Sequence, residues 1–324
     1  MPTAVSFRRF FVVRLGWALL ALLIAVSVVF LCFHVFLEVP RDLDPGAQRL
    51  VNRYLRRGDP VYERYVRYVW DVARNGSPGR SLDGRRDSRT LALEAAPATG
   101  AVVLPGLALA LAMAGAFAVP WSRAGPRLRR LWRLPVYLAV GAMPVWVGLL
   151  LSFYVGGKWG WLPIANYCDF FNPVREQGCG GAADWAKHLV LPWLAFGLFF
   201  GAVYARVLWY VLIKVRRLKE EERRRRRRGA LLGFAQIVGR DVGFAIGSAA
   251  FVEEIFQIPG LGRLLLYNIQ DFDLPVAEAA LLYATLFAVG IHFLVDVIVG
   301  ALDADARAAW PVRVLPRPTS IRQA

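Results

Sequence analysis

Residues that commonly bind metals or act as nucleophiles are scarce in this sequence. It has three histidines and three cysteines among 324 residues, and none of them lies in a His-x-x-x-His or Cys-x-x-Cys frame. No stretch matches the Gly-x-x-x-x-Gly-Lys-Ser/Thr frame that holds nucleotide phosphates. The sequence therefore predicts no metal centre, no nucleotide site, no bound cofactor and no enzyme activity in this chain.

Acidic residues are also few, with 24 acids against 40 basic residues and a net charge of +16. Part of the excess lies in "KVRRLKEEERRRRRRGALLG", residues 214–233, which contains six consecutive arginines, Arg223–Arg228. Such a run is typical of nucleic-acid patches and localisation signals. However, 57% of the residues are hydrophobic and they form long blocks, which indicates a membrane protein. The run is therefore predicted to face anionic lipid headgroups, with no nucleic acid as a partner.

Six apolar blocks reach the length of about 20 residues that a helix needs to cross a bilayer. They are 15–36, 99–119, 134–155, 189–213, 229–252 and 276–302. The alternating pattern of barrel strands is absent, so each block is predicted to be helical. The fold class is predicted to be all-α, a polytopic membrane protein with six transmembrane helices. No small-residue cleavage site follows the first block, so it is interpreted as a retained helix rather than a signal peptide.

The basic residues predict the orientation, because arginine and lysine in short loops are retained on the cytoplasmic side. They are concentrated before the first block and after the second, fourth and sixth blocks. Both termini are therefore predicted to be cytoplasmic, in a cell membrane. The predicted division is a cytoplasmic flank 1–14, a first transmembrane helix 15–36, an extracytoplasmic segment with amphipathic helices 37–98, a transmembrane core 99–302 and a cytoplasmic tail 303–324.

Two of the three cysteines, Cys168 and Cys179, fall in one loop that the charge rule places outside. That compartment is oxidising in bacteria, so a disulfide between them is one interpretation and a pair of reduced thiols is the other. Cys32 lies within the first block and is interpreted as a small packing residue.

Ionisable residues inside the apolar blocks are candidates for a transport pathway, because their insertion is costly. His292 and Asp296 are four residues apart and share one face of the last helix. One interpretation is a proton relay, and the other is a polar pair that faces another helix.

Arg240 and Asp241 interrupt the fifth block and, being adjacent, point in different directions on a helix. They are candidates for lining a passage or a subunit contact. The alternative is that the fifth helix starts later. Gly239, Gly243 and Gly247 recur around them at the spacing that allows two helices to approach closely.

The C-terminal stretch "EEIFQIPGLGRLLLYNIQDFDLPVAEAALLYATLFAVGIHFLVDVIVGALDADAR" resembles the inner-membrane permeases of dipeptide, oligopeptide and nickel ABC importers. Other matching motifs are "GSPGRS" (76–81), "APAT" (96–99), "PVWVGLLL" (144–151), "WGWLP" (159–163) and "YAR" (204–206). The signature positions that match the family pattern are Glu253, Pro259, Gly260, Gly262 and Asp296.

The resemblance implies one permease subunit of an importer for peptides or a related small solute, in a bacterial cell membrane. Its implied partners are a second permease, two cytoplasmic ATPase subunits that bind the ATP, and an extracytoplasmic solute-binding protein. Transport would proceed by alternating access. The alternatives are a permease with altered or lost ATPase coupling that serves as a structural partner, and a proton-coupled secondary transporter.

The loop between the fourth and fifth blocks departs from the family pattern, which has Glu-Ala-Ala followed by Gly where the ATPase docks. The candidate coupling residues that stand there instead are Arg216, Arg217, Lys219, Glu220, Glu221, Glu222 and Arg223. Residues 220–228 are therefore interpreted either as a divergent docking helix or as a sign that coupling is lost.

Overall fold

The computed structural model describes residues 6–40, 43–125, 143–165, 167–170, 179, 181–216 and 220–302, together with positions 127, 136, 138 and 141. For 220–228 it describes the backbone alone. Within these residues the regular elements are all helical, and an isolated bridge joins Arg80 to Asp87.

The described helices are α1 (Phe7–Phe30), α2 (Pro45–Leu55), α3 (Val61–Asn75), α4 (Ser88–Arg123), α5 (Pro144–Leu151), α6 (Ala182–Arg216), α7 (Glu220–Ile255), α8 (Leu261–Gln270) and α9 (Leu274–Leu302). Two π-helical segments, Leu31–Phe36 and Ser152–Lys158, continue α1 and α5. The predicted all-α class is thus confirmed for the described part of the chain.

Five helical segments are long and apolar enough to cross a membrane: Phe7–Phe36, Ser88–Arg123, Ala182–Arg216, Gly229–Ile255 and Leu274–Leu302. They correspond to the first, second, fourth, fifth and sixth predicted blocks. The third block, 134–155, lies partly outside the described residues, and its described end forms α5 and the start of the π-helical segment after it. Six spans and cytoplasmic termini therefore stay predictions.

The fifth span is part of a longer helix than the sequence indicated. Helix α7 begins at Glu220, nine residues before the apolar block, and therefore includes the arginine run. Glutamate and arginine are both good helix formers, and glutamates suit a helix N-terminus because its dipole is positive there. Arg240 and Asp241 consequently lie well inside a helix, so the interpretation that the fifth helix starts after them is wrong.

Helices α4 and α6 form a closely packed pair because small residues let their backbones approach. A Cβ added at Gly197 would lie 3.0 Å from Leu109, and one at Gly201 would lie 3.1 Å from Met113. Pro105 in α4 has no N–H to donate to the carbonyl of Ala101, four residues earlier. Trp193 of α6 donates its Nε1–H to that carbonyl at 2.8 Å, so the proline leaves no unpaired group there.

Helices α1 and α9 bring the two ends of the described chain together. Phe10 of α1 packs against Gly300 of α9, since a Cβ added at Gly300 would lie only 2.2 Å from the Phe10 ring. At the other end of the same pair, Val29 and Phe30 of α1 pack in one cluster with Leu274 of α9 and with residues of α2 and α3. We call this the α2–α3 end of the bundle, and we call the opposite end, which holds Phe10 and Gly300, the terminal end.

Candidate functional site

The carboxylate of Glu253 is completely buried and forms the centre of the turn between α7 and α8. Its Oε1 accepts a hydrogen bond from the Thr99 hydroxyl of α4 at 2.7 Å. Its Oε2 accepts from the backbone N–H groups of Gly262 and Arg263 at 2.8 and 3.1 Å. These are among the first N–H groups of α8, which have no partner within their own helix. Glu253 therefore caps α8 from the preceding helix.

Thr99 has a second role in the same turn, because its Oγ1 also accepts from the N–H of Leu261 at 2.8 Å. One hydroxyl and one carboxylate thus satisfy three N–H groups at the start of α8. The "APAT" motif and the C-terminal signature, 154 residues apart at Thr99 and Glu253, meet here.

Two signature glycines leave the space that this turn requires. A Cβ at Gly260 would lie 2.3 Å from the Glu253 carboxyl carbon, and one at Gly262 would lie 2.2 Å from the Cα of Ala250. Neither backbone has a positive φ, so close approach explains both glycines. Pro259 precedes them in the turn and lines a cavity beside α4. The structure therefore brings four of the five signature positions into one corner, which we call the Glu253 corner.

A second motif, "GSPGRS", is joined to the turn between α8 and α9. The hydroxyl of Ser81 donates to Asp273 Oδ2, and the N–H of Leu82 donates to Oδ1 of the same carboxylate at 3.1 Å. The hydroxyl of Tyr283 in α9 donates to the carbonyl of Gly76 at 3.0 Å. These contacts fix the loop before α4 on the start of α9.

The structure also contains a buried polar cluster that the sequence did not indicate, formed at the α2–α3 end. His34 Nε2 lies 3.2 Å from Glu278 Oε1, and the Tyr54 hydroxyl donates to Glu278 Oε2 at 2.9 Å. Burial raises the pKa of Tyr54 and of Tyr68 well above the ordinary value, and the nearby Glu278 carboxylate raises both further. Both tyrosines therefore stay neutral, and Tyr54 keeps the proton that it donates to Glu278. The signal that was overlooked is an acid, Glu278, at the start of the last apolar block.

The predicted pathway residues meet partly at the terminal end. Asp296 Oδ2 lies 2.9 Å from Arg14 Nη1 of α1 and 3.3 Å from His292 Nε2. Arg240 lines the same cavity of about 310 Å³ as these three side chains. Asp241 is partly buried and is not among its lining residues. The fifth signature position, Asp296, thus joins two helices at the terminal end and does not belong to the Glu253 corner.

The three glycines around Arg240 differ in whether another helix approaches them closely. A Cβ at Gly239 would lie 2.8 Å from Val295 of α9, which shows a close approach. Added Cβ atoms at Gly243 and Gly247 would meet no described atom within 4 Å. Only the first glycine of the predicted set therefore lies at a helix contact among the described residues.

The two loop cysteines are paired in the structure as a disulfide between Cys168 and Cys179, with their Cα atoms 5.5 Å apart. Both are buried, and the neighbouring Tyr167 has a pKa that burial raises. Alkylation of the denatured chain should label one cysteine before reduction and three after it, as mass spectrometry would measure. Equal labelling before and after would instead indicate reduced thiols.

The candidate coupling residues are described only in part. Arg216, the last residue of α6, donates to the carbonyl of Ser122 at the end of α4 at 3.1 Å. Glu220, Glu221, Glu222 and Arg223 lie on helical backbone at the start of α7. Arg217 and Lys219 lie outside the described residues. The described candidate residues therefore lie at the last residue of α6 and in the first turn of α7.

Comparison with known proteins agrees with the motifs. Residues 221–308 match the family described as "Binding-protein-dependent transport system inner membrane component". The glutathione transport system permease protein GsiC of Escherichia coli strain K12 is 29% identical over 92% of this chain and 98% of its own length. The chain is a relative of the inner-membrane permeases. Its resemblance to that group, predicted from the residues, is confirmed.

Two further relatives show how far the similarity extends. The GsiC protein of Pectobacterium atrosepticum is 27% identical over 92% of this chain and 99% of its own length. The di/tripeptide transport system permease protein DppB of Pseudomonas aeruginosa is 27% identical over 82% of this chain and 87% of its own. These permeases are transport subunits rather than enzymes. The family description and the five apolar helices together confirm the predicted membrane location.

Proposed function

We propose that the chain is the channel-forming permease subunit of an ABC importer for peptides or a related small solute such as glutathione. The observation that carries this proposal is the full-length similarity to glutathione and di/tripeptide permeases, together with the meeting of family motifs in the Glu253 corner. In this proposal the chain has six transmembrane helices, and both termini are cytoplasmic.

The proposed partners are a second permease, two ATPase subunits that bind ATP, and an extracytoplasmic solute-binding protein. The bundle would switch between inward-open and outward-open states when the ATPases close. Rigid corners suit this role, because packed elements move as units about a few flexible points. The Glu253 corner supplies such a unit, since Thr99 of α4 and Glu253 of α7 both accept hydrogen bonds from the start of α8.

Reconstitution tests the proposal directly. The chain, co-expressed with its neighbouring permease and ATPases, would be placed in liposomes with the binding protein, and uptake of a labelled tripeptide would be measured. Uptake should require ATP and should be lost when the ATPase subunits are left out. Uptake that proceeds equally without ATP would overturn the proposal.

The proposed function is compatible with two alternatives for coupling to the ATPase, a divergent docking helix or lost coupling. The helical backbone of α7 from Glu220 onwards favours a divergent docking helix over lost coupling. A chain with Cys32→Ala and Leu218→Cys would be crosslinked to a co-expressed ATPase, with Arg74→Cys in α3 as the control position. A specific product at position 218 but not at position 74 supports docking. The absence of a product at both positions supports the alternative of a structural partner without coupling.

A proton-coupled secondary transporter is the less favoured alternative. It rests on His292 and Asp296, and Asp296 is already engaged by Arg14. If this alternative held, His292→Ala would abolish the pH dependence of uptake. In the proposed importer the same variant leaves that pH dependence unchanged.

A further inference from the structure

A cavity of about 330 Å³ lies at the α2–α3 end, bounded by α2, α3 and the loop that begins at Pro78. Its volume falls within the usual range for sites that hold small ligands. The charged side chains in its wall are four arginines, Arg53, Arg56, Arg64 and Arg67, and one acid, Asp71. We call it the arginine cavity, and it is separate from the Glu253 corner and from the cavity beside Asp296.

Arg64 is the buried member of this set, with 9% of its surface exposed. Its Nη1 and Nη2 donate to the backbone carbonyls of Leu55 and His34 at 3.2 and 2.8 Å. Its Nε–H has no acceptor among the described residues, and none of their carboxylates lies within ion-pair distance of it. A buried cation that only neutral carbonyls contact is costly, because its charge has no direct counter-ion. The structure thus holds a fixed positive charge at this cavity without a direct ion-pair partner among the described residues.

The other arginines add to that charge rather than cancel it. Arg53 and Arg56 are exposed, at the end of α2, and the contact of Arg67 with Asp59 is long, at 3.8 Å, and almost half-exposed. Ion pairs of that kind contribute little. Four arginines and one acid, Asp71, leave a net positive charge around the cavity, and a bound anion would reduce the repulsion between the arginines. Guanidinium groups also match the geometry of carboxylates and phosphates.

We infer that the arginine cavity binds one small anionic group, a carboxylate or a phosphate. The two carbonyl contacts use two of the five N–H groups of Arg64 and hold its guanidinium in place. Arg53 and Arg67 are exposed and line the same cavity. The anion belongs either to a soluble carboxylate or phosphate or to the headgroup of an anionic lipid. Both sources offer the same chemistry to the arginines.

The test uses the full chain in nanodiscs of phosphatidylcholine alone, titrated calorimetrically at constant ionic strength. The probes are inorganic phosphate and, in a separate titration, acetate. Replacing Arg64 would also remove its contacts to Leu55 and His34, so the exposed arginines are changed instead. The variant is Arg53→Gln with Arg67→Gln, and the matched control is Arg49→Gln with Arg74→Gln, which changes the same charge on the same two helices outside the cavity wall.

One saturable site per chain is expected, at which phosphate and acetate compete. Its affinity should fall at least tenfold in the Arg53/Arg67 variant and stay within twofold in the control. Equal weakening in both variants would show a general charge effect and would overturn the inference, as would the absence of saturable binding.

The same titration in an equal mixture of phosphatidylcholine and phosphatidylglycerol distinguishes the two sources. The comparison is made with the phosphatidylcholine disc at the same high ionic strength, at which the negative surface potential of phosphatidylglycerol is screened. A loss of apparent affinity for phosphate in the mixed disc under these conditions assigns the site to the lipid headgroup. Unchanged affinity assigns it to a soluble anion. Both results retain the site, and neither depends on transport activity, so a failure of the proposed importer function would be seen separately in the uptake assay.

Discussion

Glu253 in the Glu253 corner and Asp296 at the terminal end are both buried carboxylates, but their partners differ in kind. Glu253 accepts hydrogen bonds from one hydroxyl and two backbone N–H groups. Asp296 lies against the charged side chain of Arg14 and the imidazole of His292. The first acid is held by neutral groups, two of them on the backbone of α8, and the second by side chains of two helices.

This difference indicates what each acid does for the fold. The two N–H partners of Glu253 cannot move away without unwinding α8, so loss of the carboxylate leaves them unpaired. Arg14 is long and partly exposed, with 14% of its side chain accessible, so it can turn towards water if Asp296 is lost. The Glu253 corner should therefore be the more rigid and the more costly to disrupt.

The largest effect is expected for Glu253→Ala. Removal of the carboxylate leaves the N–H groups of Gly262 and Arg263 without an acceptor, and each such group costs about 1–3 kcal/mol, so a loss of about 3 kcal/mol or more is expected. The matched control is Glu254→Ala, because that side chain is 54% exposed and its pair with Arg263 spans 3.5 Å. The control should change stability by about 0.5 kcal/mol or less. Thermal unfolding of both variants in the same detergent measures the contrast, and equal midpoints would show that the corner is not rigid.

Gly262→Ala should have the next largest effect. The added Cβ would overlap the backbone of Ala250, so α8 must move away from α7, at a cost of about 2–3 kcal/mol. Gly243→Ala in α7 serves as the control, since its Cβ would meet no described atom within 4 Å. Alanine is the better helix former, so the control should be neutral or more stable by up to about 1 kcal/mol. Hydrogen exchange of the α8 amides would show whether the helix has been displaced, and unchanged protection in Gly262→Ala would contradict the close approach.

Asp296→Asn should cost less than either change in the Glu253 corner. The loss of one charge weakens its interaction with Arg14, and about 1–2 kcal/mol is expected, because breaking a fully buried pair costs about 3–5 kcal/mol and this arginine is partly exposed. A double-mutant cycle with Arg14→Met isolates the pair. A coupling energy of about 1 kcal/mol supports the ion pair. A value near zero would show that Asp296 is stabilised by other groups.

His292→Ala should have the smallest effect. The imidazole is 40% exposed and lies 3.3 Å from Asp296, farther away than Arg14. The stability change should be about 0.5 kcal/mol or less, as for other exposed pairs. A loss as large as that of Asp296→Asn would make His292 an equal partner of the acid and would strengthen the proton-relay alternative.

Much of the fold could be predicted because the apolar blocks must be helical in a membrane. The break between α2 and α3 and the turn before α8 were also predictable, from Gly58-Asp59-Pro60 and from Pro259 and Gly260. The start of α7 at Glu220 was missed because hydropathy marks where a helix enters the apolar layer, not where its backbone begins. Boundaries of this kind depend on propensity and capping, which extend into polar sequence.

The candidate site was predictable only where a family resemblance identified its positions. Glu253 was found in this way, but nothing in the sequence indicated that Thr99 would be its partner. His34 was assigned no role, yet it lies beside Glu278, 244 positions later in the printed sequence. Such contacts depend on the rotation and depth of each helix in the bundle, and the order of the residues does not state these.

The sequence by itself determined that this chain is a helical membrane protein without a recognisable nucleotide-binding or metal-binding motif. A segment that crosses the lipid must be apolar and about 20 residues long, and both properties can be read from the sequence. Only the tertiary structure decided how the polar residues in those helices are satisfied. A buried carboxylate needs partners within about 3 Å, and whether these are the N–H groups of α8, the hydroxyl of Tyr54 or the guanidinium of Arg14 depends on which helix faces it.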